Sequence, residues 1–576
     1  MAQKIIIPRL GQTMTEGVIA KWYQPDGARV ESGDDVYEME YDKSTATVQA
    51  KKGGILRHLH EEGESVGVGQ PVGIVLQEGE TFEQGMESVL GKTPDGVPAT
   101  EEKTGGAEAE KKAAGYDADT IVIGGGPGGY VAAMKLAMLG ASVILVEKDT
   151  VGGTCLNRGC IPTKAILHCA EVYEQAKNSA EIGIVTKEVS LDLGKVDAFR
   201  KKVINTLVKG VGGLLAARKV SVIEGNASFV SAHEVAVCLK DGSKKRISAP
   251  NIVIAAGSKS AAPPIPGIDG KNVITSTEAL CVENLPESIV IIGGGVIGME
   301  IGSAYAEFGV KVTVVEALDR ILPNMDAEIS AEFFARAKKK MEIFTSSRVE
   351  RMEDTEDQKR VVFTRDGNSY EVVADRVLVA IGRTPDLEGL GLENAGIEKN
   401  GRAVAVDDSF ETAAAGVYCI GDANAKTMLA HAASAQAIFV AEHIMGKTPE
   451  VALNIIPSCI YTDPEIASVG LTDEQAKEQG IAYRVGKFPF RANGRSLVLG
   501  KADGFVKIIG SEDYHEILGV HIIGPYATEL IAECAMAIKL EGCVEDIANT
   551  IHAHPTVSEG VMEAAEKFLG GAIHSL

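Results

Sequence analysis

The chain has 576 residues, 45% hydrophobic and 24% charged, the balance of ordinary globular protein and room for several domains of roughly 100–200 residues. Its 80 acidic and 57 basic side chains leave a net charge of −23, which argues against nucleic acid or an anionic membrane as partner, since both call for clustered Lys and Arg. No apolar run reaches the roughly 18 residues of a membrane span, and Met1–Pro8 shows neither a signal-peptide core nor an Arg- and Ser-rich transit character, so the reading is cytoplasmic, or a trimmed organellar precursor.

Residues 1–78 carry a doubled pattern. Gly27, Val30, Gly33 and Val36 recur at the same steps as Gly63, Val66, Gly69 and Val72, each set following a short β-type run at 18–23 or 55–59. Glycines close turns and valines point inward from short strands, so two such halves can pack as a small β-sandwich with pseudo-twofold symmetry. Between them Glu38–Val48 reads as a polar hairpin with Lys43 at its tip. Standing alone, Lys43 would be an ordinary exposed lysine. The whole unit, however, resembles a lipoyl domain, and that resemblance implies lipoic acid in amide linkage on Lys43. Asp42 and Ser44 flank the lysine where biotinyl carriers have methionines. Residues 79–115, rich in Ala, Pro, Gly, Glu and Lys, cannot build a core and read as a flexible linker. A chain of that length spans about 30–35 Å as a coil and roughly 115–125 Å extended.

The apolar run 120–123 leads into Gly124, Gly126 and Gly129, a helix is expected over 129–139, and a strand over 142–146 ends at Glu147. Strand, GxGxxG, helix and an acid about 20 residues on together form a dinucleotide fingerprint: glycines let a pyrophosphate approach the helix N-terminus and the acid accepts ribose hydroxyls. The pattern returns at Gly293, Gly295 and Gly298, with a helix over 298–308 and a strand closing on Glu316. Two sites imply two nucleotides. An acid at 316, with no arginine at 317–319 although Arg320 is near, favours NAD over NADP.

One βαβ unit after the first fingerprint stands Gly152-Gly153-Thr154-Cys155-Leu156-Asn157-Arg158-Gly159-Cys160-Ile161-Pro162-Thr163-Lys164. A zinc site would need a second close pair, which the other seven cysteines do not make. A static disulfide suits neither nine scattered cysteines nor a cytosolic protein. A dithiol that passes two electrons to a neighbouring redox cofactor accounts for the pair. Cys419 reads as a small buried residue. Near the end, His552-Ala553-His554-Pro555-Thr556-Val557-Ser558-Glu559 places a histidine before a proline expected to open a helix, with Glu559 able to orient the ring.

The cysteine segment, the two fingerprints and the closing His-Pro-Thr-x-x-Glu phrase resemble the pyridine nucleotide-disulfide oxidoreductases, most closely members that oxidise dihydrolipoyl groups with NAD⁺. The resemblance covers the chain from about residue 116 onward. It implies FAD in the first site, with Gly124, Gly126, Gly129, Glu147, Lys148, Gly153, Thr154, Lys164, Ala227, Ala256, Gly257, Asp422, Met428, Leu429, Ala430 and His431. It implies NAD in the second, with Gly293, Gly295, Gly298, Glu300, Glu316, Val349 and Gly382. It gives the catalytic set as Cys155 (exchange thiol), Cys160 (thiolate against the flavin), the pair Lys164 and Glu300, and the base His554 with Glu559, which acts on the dithiol of the other subunit of a homodimer; His552 is less secure. It implies an NAD-linked oxidoreductase of a 2-oxoacid, acetoin or glycine dehydrogenase complex, with a lipoyl-bearing acyltransferase or similar subunit as partner. The expected architecture is multidomain: an all-β lipoyl sandwich (1–78), linker (79–115), two Rossmann-like α/β domains for FAD (116–265) and NAD (266–384), a central domain completing the FAD site (385–455) and an α+β dimerisation domain (456–576). Two rivals stay open. One is another disulfide reductase of glutathione- or mercuric-reductase type, disfavoured by Glu316 and by the lack of terminal cysteine pairs. The other is a non-catalytic lipoyl carrier, disfavoured by the intact Cys155, Cys160, His554 and Glu559.

Overall fold

The glycines and valines of the N-terminal repeat build two four-stranded antiparallel sheets. The computed structural model describes residues 3–8, 16–41, 44–68, 70–76, 80, 82 and 115–574, in two units, Met1–Glu108 and Ala109–Leu576. One sheet of the first unit runs in the order Gln3–Ile6, Pro71–Leu76, Gly54–His58, Arg29–Val30; the other runs Ser44–Gln49, Asp35–Tyr41, Glu16–Trp22, Ser65–Gly67. All four repeat valines, Val30, Val36, Val66 and Val72, are buried between them. Gly27, Gly33 and Gly63 take positive φ at the turns, where a side chain would be strained. The register pairs Tyr41 with Ser44; Asp42 and Lys43, and nearly all of the 79–115 segment, lie outside the described residues.

Trp22, the chain's one tryptophan, stacks on His58 at 3.8 Å between ring centroids and donates its indole N–H to His60 O at 3.2 Å.

In the second unit, buried apolar strands set the first dinucleotide site. A seven-stranded sheet runs Lys244–Ser248, Glu234–Leu239, Ser221–Ser231, Val143–Glu147, Thr120–Ile123, Asn251–Ile254, Val417–Cys419. The pairs from Ser221–Ser231 to Val417–Cys419 are parallel. Thr120–Ile123 and Val143–Glu147 are buried throughout, as expected of a sheet covered on both faces. The late strand Val417–Cys419 completes this first sheet, and helix Ala430–Ile444 packs on helix Pro127–Met138. Cys419 is fully buried.

A second, all-parallel sheet, Val273–Ile274, Arg376–Val379, Ser288–Ile292, Lys311–Val315, Glu342–Phe344, carries the second fingerprint. The chain reaches it and returns along one antiparallel ribbon, Ser258–Ser260 against Arg383–Pro385. A three-stranded sheet over Ser347–Ala374 is inserted between its strands Glu342–Phe344 and Arg376–Val379, and a five-stranded antiparallel sheet with helices closes the chain.

One local expectation is corrected. Pro555 does not open a helix: the last helix is Glu559–Leu569, and residues up to 558 form turns. Thr556 donates its hydroxyl back to Ala553 O at 2.7 Å and its amide to Glu559 Oε2 at 2.8 Å, bonds that bend the segment before the helix begins. Among the described residues, no helix is long and apolar enough to cross a membrane.

Burial holds the His58 imidazole below the usual histidine value, partly offset by its bond to Gln24 O. Protonation at 3.8 Å from the indole should quench Trp22. The expected result is a fluorescence titration with its midpoint below that of free histidine, lost in His58→Gln; a midpoint at or above the free value would contradict the buried stack.

Candidate functional site

Three glycines per fingerprint do three different jobs. Gly124 and Gly293 sit at φ +103° and +108°, turning the chain off the strand where other residues would be strained. A Cβ on Gly129 would lie 1.7 Å from Gly124 O, and one on Gly298 2.2 Å from Gly293 O. The third glycine therefore lets the helix pack on its own loop. The middle glycines face space instead: nothing lies within 4 Å of a Cβ on Gly295, and only the Gly153 Cα at 3.9 Å near one on Gly126. That is where a pyrophosphate can approach the starts of helices Pro127–Met138 and Val296–Glu307.

The acids are matched as well. Glu147 accepts the amides of Gly125 at 2.5 Å and Asp149 at 2.8 Å. Glu316 accepts those of Gly294 at 2.6 Å and Leu318 at 2.7 Å. Each carboxylate is buried at the rim of its glycine loop. Arg320 is turned to Glu474 at 2.7 Å and to Pro323 O, and does not line the cavity beside Glu316.

Both loops open into one connected cavity of about 2490 Å³. Ligand pockets commonly measure about 300–1,000 Å³, so this volume suits more than one nucleotide. Of the dinucleotide residues named from the sequence, all line it except Gly129 and Gly298, whose contacts are internal. Lys148 lies at its edge with its ammonium on Asp386 at 2.5 Å. Asp422 accepts the Ser258 hydroxyl at 2.5 Å, and Ser258 in turn accepts Arg383 Nε at 2.7 Å. His431 bonds Pro457 O at 2.7 Å.

The cysteines stand where two helices meet. Cys155 is in helix Gly153–Arg158, and Cys160 is the first residue of helix Cys160–Asn178. Gly159 separates them; a Cβ there would be 2.9 Å from Thr154 O. Both are free thiols and hydrogen-bond one another. That bond draws Cys160 down to about 7, against burial and with help from Lys164 and the helix-start amide. It drives Cys155 far up, as does burial. The pair behaves as one acid whose first proton leaves Cys160. Lys164 follows one turn later on the same helix face, with its ammonium 2.9 Å from each oxygen of the buried Glu300.

The C-terminal residues lie apart from this cavity in the single chain. His554 Nδ1 bonds Glu559 Oε1 at 2.9 Å, its side chain 79% exposed, and neither residue lines the cavity. Burial raises Glu559, but the Thr556 amide and His554 outweigh it and hold the carboxyl below its ordinary range. His552 has both ring nitrogens engaged, with Glu533 at 2.8 Å and Thr550 O at 2.8 Å, and the Glu533 bond raises it above the usual histidine value against opposing burial. It is a structural histidine here.

Three cavity residues carried no signal in the sequence. Ser258 and Arg383 meet Asp422 only because the crossing ribbon joins segments 125 residues apart. Tyr461, from the closing domain, places its ring 4.5 Å from the Lys164 ammonium, a contact no local pattern could reveal.

The family model for the pyridine nucleotide-disulphide oxidoreductases matches residues 118–437, and that for their dimerisation domain matches 456–565. The chain belongs to the pyridine nucleotide-disulphide oxidoreductases. A biotin/lipoyl model, described as a biotin-requiring enzyme, matches 3–75. Among curated members of the family, a dihydrolipoyl dehydrogenase of Bacillus subtilis (strain 168) is 42% identical over 79% of this chain and 99% of its own length. One from Geobacillus stearothermophilus is 43% identical over 80% and 97%. Among solved structures, LpdA of Mycobacterium tuberculosis superposes with a TM-score of 0.73 at 28% identity, covering 78% of this chain and 99% of that one. The HOCl-induced flavoprotein disulfide reductase RclA of Escherichia coli, in a Cu(II) complex, gives 0.71 at 29%, covering 78% and 99%.

The glycine geometry separates packing from ligand contact in this family member. Gly298→Ala should cost about 1–3 kcal/mol of stability through overlap with Gly293 O. Gly295→Ala should leave the melting temperature unchanged yet raise the KM for the nucleotide that uses the second loop on the order of tenfold by displacing one charge-assisted contact. Melting curves and steady-state kinetics on both variants check the assignment.

Proposed function

We propose that the chain oxidises dihydrolipoyl groups to lipoyl groups and reduces NAD⁺. The observation that carries this reading is the acidic Cys160 at the start of its helix, beside Lys164–Glu300, in a cavity lined by both glycine loops. Relatives named dihydrolipoyl dehydrogenase match over nearly their whole length. FAD fits the first site and the nicotinamide nucleotide the second: each offers an unobstructed middle glycine and a buried acid. Arg320 is committed to Glu474, and Glu316 suits a free ribose diol, so NAD⁺ is favoured over NADP⁺.

The residues divide the work as follows. In the oxidised enzyme Cys155 and Cys160 form a disulfide. A substrate thiol gives its proton to His554 of the partner subunit, and the resulting thiolate attacks Cys155, breaking the Cys155–Cys160 bond and releasing Cys160 as a thiolate. His554 passes that proton to Cys155 as it leaves and takes the proton of the second substrate thiol, which closes on the first, so Cys155 ends as a thiol and His554 as its cation. Lys164 and the helix start hold the negative charge on Cys160. Bound FAD supplies the two-electron carrier between the dithiol and NAD⁺. The balance is dihydrolipoyl plus NAD⁺ to lipoyl, NADH and a proton. Glu559 fixes the tautomer and orientation of His554 and stabilises its cation. The dimerisation-domain match supports a homodimer, which this use of the exposed His554 requires.

Lys43 is the proposed site of lipoyl attachment, supported by its Asp-Lys-Ser setting and the match over 3–75. The 79–115 segment would let that domain present its group to the dithiol. Partnership with a lipoyl-bearing acyltransferase or similar subunit of a dehydrogenase complex, and a cytoplasmic location, follow from the same reading.

Cys155→Ser and Cys160→Ser should each abolish NAD⁺ reduction by dihydrolipoamide with FAD retained. The long-wavelength absorbance of a thiolate beside oxidised flavin should vanish in Cys160→Ser and can survive in Cys155→Ser. Near-normal activity in Cys155→Ser, or wild-type turnover faster with NADP⁺, would overturn the scheme. For the arm, Lys43→Ala should lose flavin reduction driven by the attached dihydrolipoyl group and keep activity towards free dihydrolipoamide; equal loss of both would mean that Lys43 serves the fold instead.

A further inference from the structure

Lys164 sits in an arrangement that its own helix does not explain. Its ammonium makes two 2.9 Å bonds to Glu300, and its remaining face lies over the Tyr461 ring at 4.5 Å. The same Tyr461 donates its main-chain amide to Glu300 Oε1 at 2.9 Å. One residue of the closing domain thus grips both members of an ion pair built from the two parts that carry the glycine loops. The geometry points to Tyr461 as a positioning residue for the dithiol, its ring and amide holding Lys164–Glu300 in register with Cys160.

The physical case rests on desolvation. Glu300 is 4% exposed, and a buried carboxylate is tolerated only when fully bonded. The Tyr461 amide supplies the bond that Lys164 leaves open. A lysine on a flexible stem can swing away from its partner; an aromatic face beneath the ammonium narrows that freedom by attraction to the cation. The ring must be neutral to act through its quadrupole, and it is: burial pushes the phenol up to about 12, and the carboxylates Glu465, Glu529 and Glu300 add to it. The charges facing Cys160 are Lys164 on its own helix, Glu300 on helix Val296–Glu307 and Arg383 on the crossing ribbon. Of these, the Tyr461 ring touches Lys164 and its amide touches Glu300. Tyr461 meets neither thiol, so its effect reaches the chemistry through the Lys164–Glu300 pair, and that of its ring through Lys164.

This inference rests on the dithiol reading above, but its test does not depend on which disulfide is the substrate. In the two-electron-reduced holoenzyme, the long-wavelength absorbance of the Cys160 thiolate is titrated with pH. Tyr461→Phe should keep the wild-type midpoint, because the ring remains. In Tyr461→Leu, the less firmly held ammonium should let the midpoint rise by about a third to half of a pH unit, with kcat falling several-fold and KM little changed. Phenylalanines carrying one, two and three ring fluorines at 461, which weaken the quadrupole at nearly constant shape, should raise the midpoint stepwise; this series decides the matter should the leucine variant lose FAD. A flat fluorine series, a Tyr461→Leu protein with full FAD and the wild-type midpoint, or a Tyr461→Phe shift as large as that of leucine would each overturn the role. Absence of dihydrolipoamide activity in the wild type would sink the substrate assignment and leave this measurement intact.

Discussion

A single buried carboxylate ties the chemistry together. Glu300 lies in the helix that begins at the second glycine loop, yet its charge is balanced by Lys164, one turn past Cys160 on another helix. A carboxylate this deep is costly unless paired and hydrogen-bonded, and its three hydrogen bonds come from two other parts of the fold: Lys164 donates twice and the Tyr461 amide once. Removing any one leaves an uncompensated group in the cavity wall. The second glycine loop, the Cys160 helix and the closing domain are therefore held in one mutual arrangement by the demand for charge neutrality at one point. That arrangement puts a cation beside the thiol that most needs it.

The two nucleotide sites show how little sequence is needed to specify such a cradle. In both, a positive-φ glycine turns the chain and a buried acid accepts two loop amides, the second two residues beyond itself. The acid is thus part of the loop's own bonding before any ligand arrives, so a ribose bound there would meet an acceptor already fixed in place, with less ordering left to accomplish on binding. The sites differ in what surrounds the acid. Glu147 is followed by Lys148, held by Asp386, whereas the region after Glu316 keeps its nearest arginine on Glu474.

Local pattern carried much of this. The βαβ units were legible because apolar runs, glycines and a closing acid fall within about 25 residues of one another, and the helix and strand boundaries differ from expectation by a residue or two. The repeat valines of the first unit were legible for the same reason, since burial of one face imposes a period on the sequence. Pro555 misled because a proline before a polar run is equally suited to a turn, and the side-chain bonds of Thr556 and Glu559 decide between them. The Ser258–Arg383–Asp422 chain and the Tyr461 ring were not legible at all. Each joins residues more than a hundred positions apart, and nothing in a single sequence ranks one such pairing over another. His552 and His554 look equivalent as letters; only the ring contacts show that one is occupied and the other exposed.

The crossing ribbon has a consequence for how such a chain is assembled and altered. Ser258–Ser260 and Arg383–Pro385 run side by side, so everything between them leaves and rejoins its host at nearly one point. The host sheet, meanwhile, continues from Asn251–Ile254 directly to Val417–Cys419 as paired neighbours. A segment whose ends lie together can be exchanged as a cassette without breaking the sheet that carries it. The domain of the second glycine loop is thus a replaceable module, mounted on a body that keeps its own glycine loop and dithiol, and a change at the second site need not pass through a change of body.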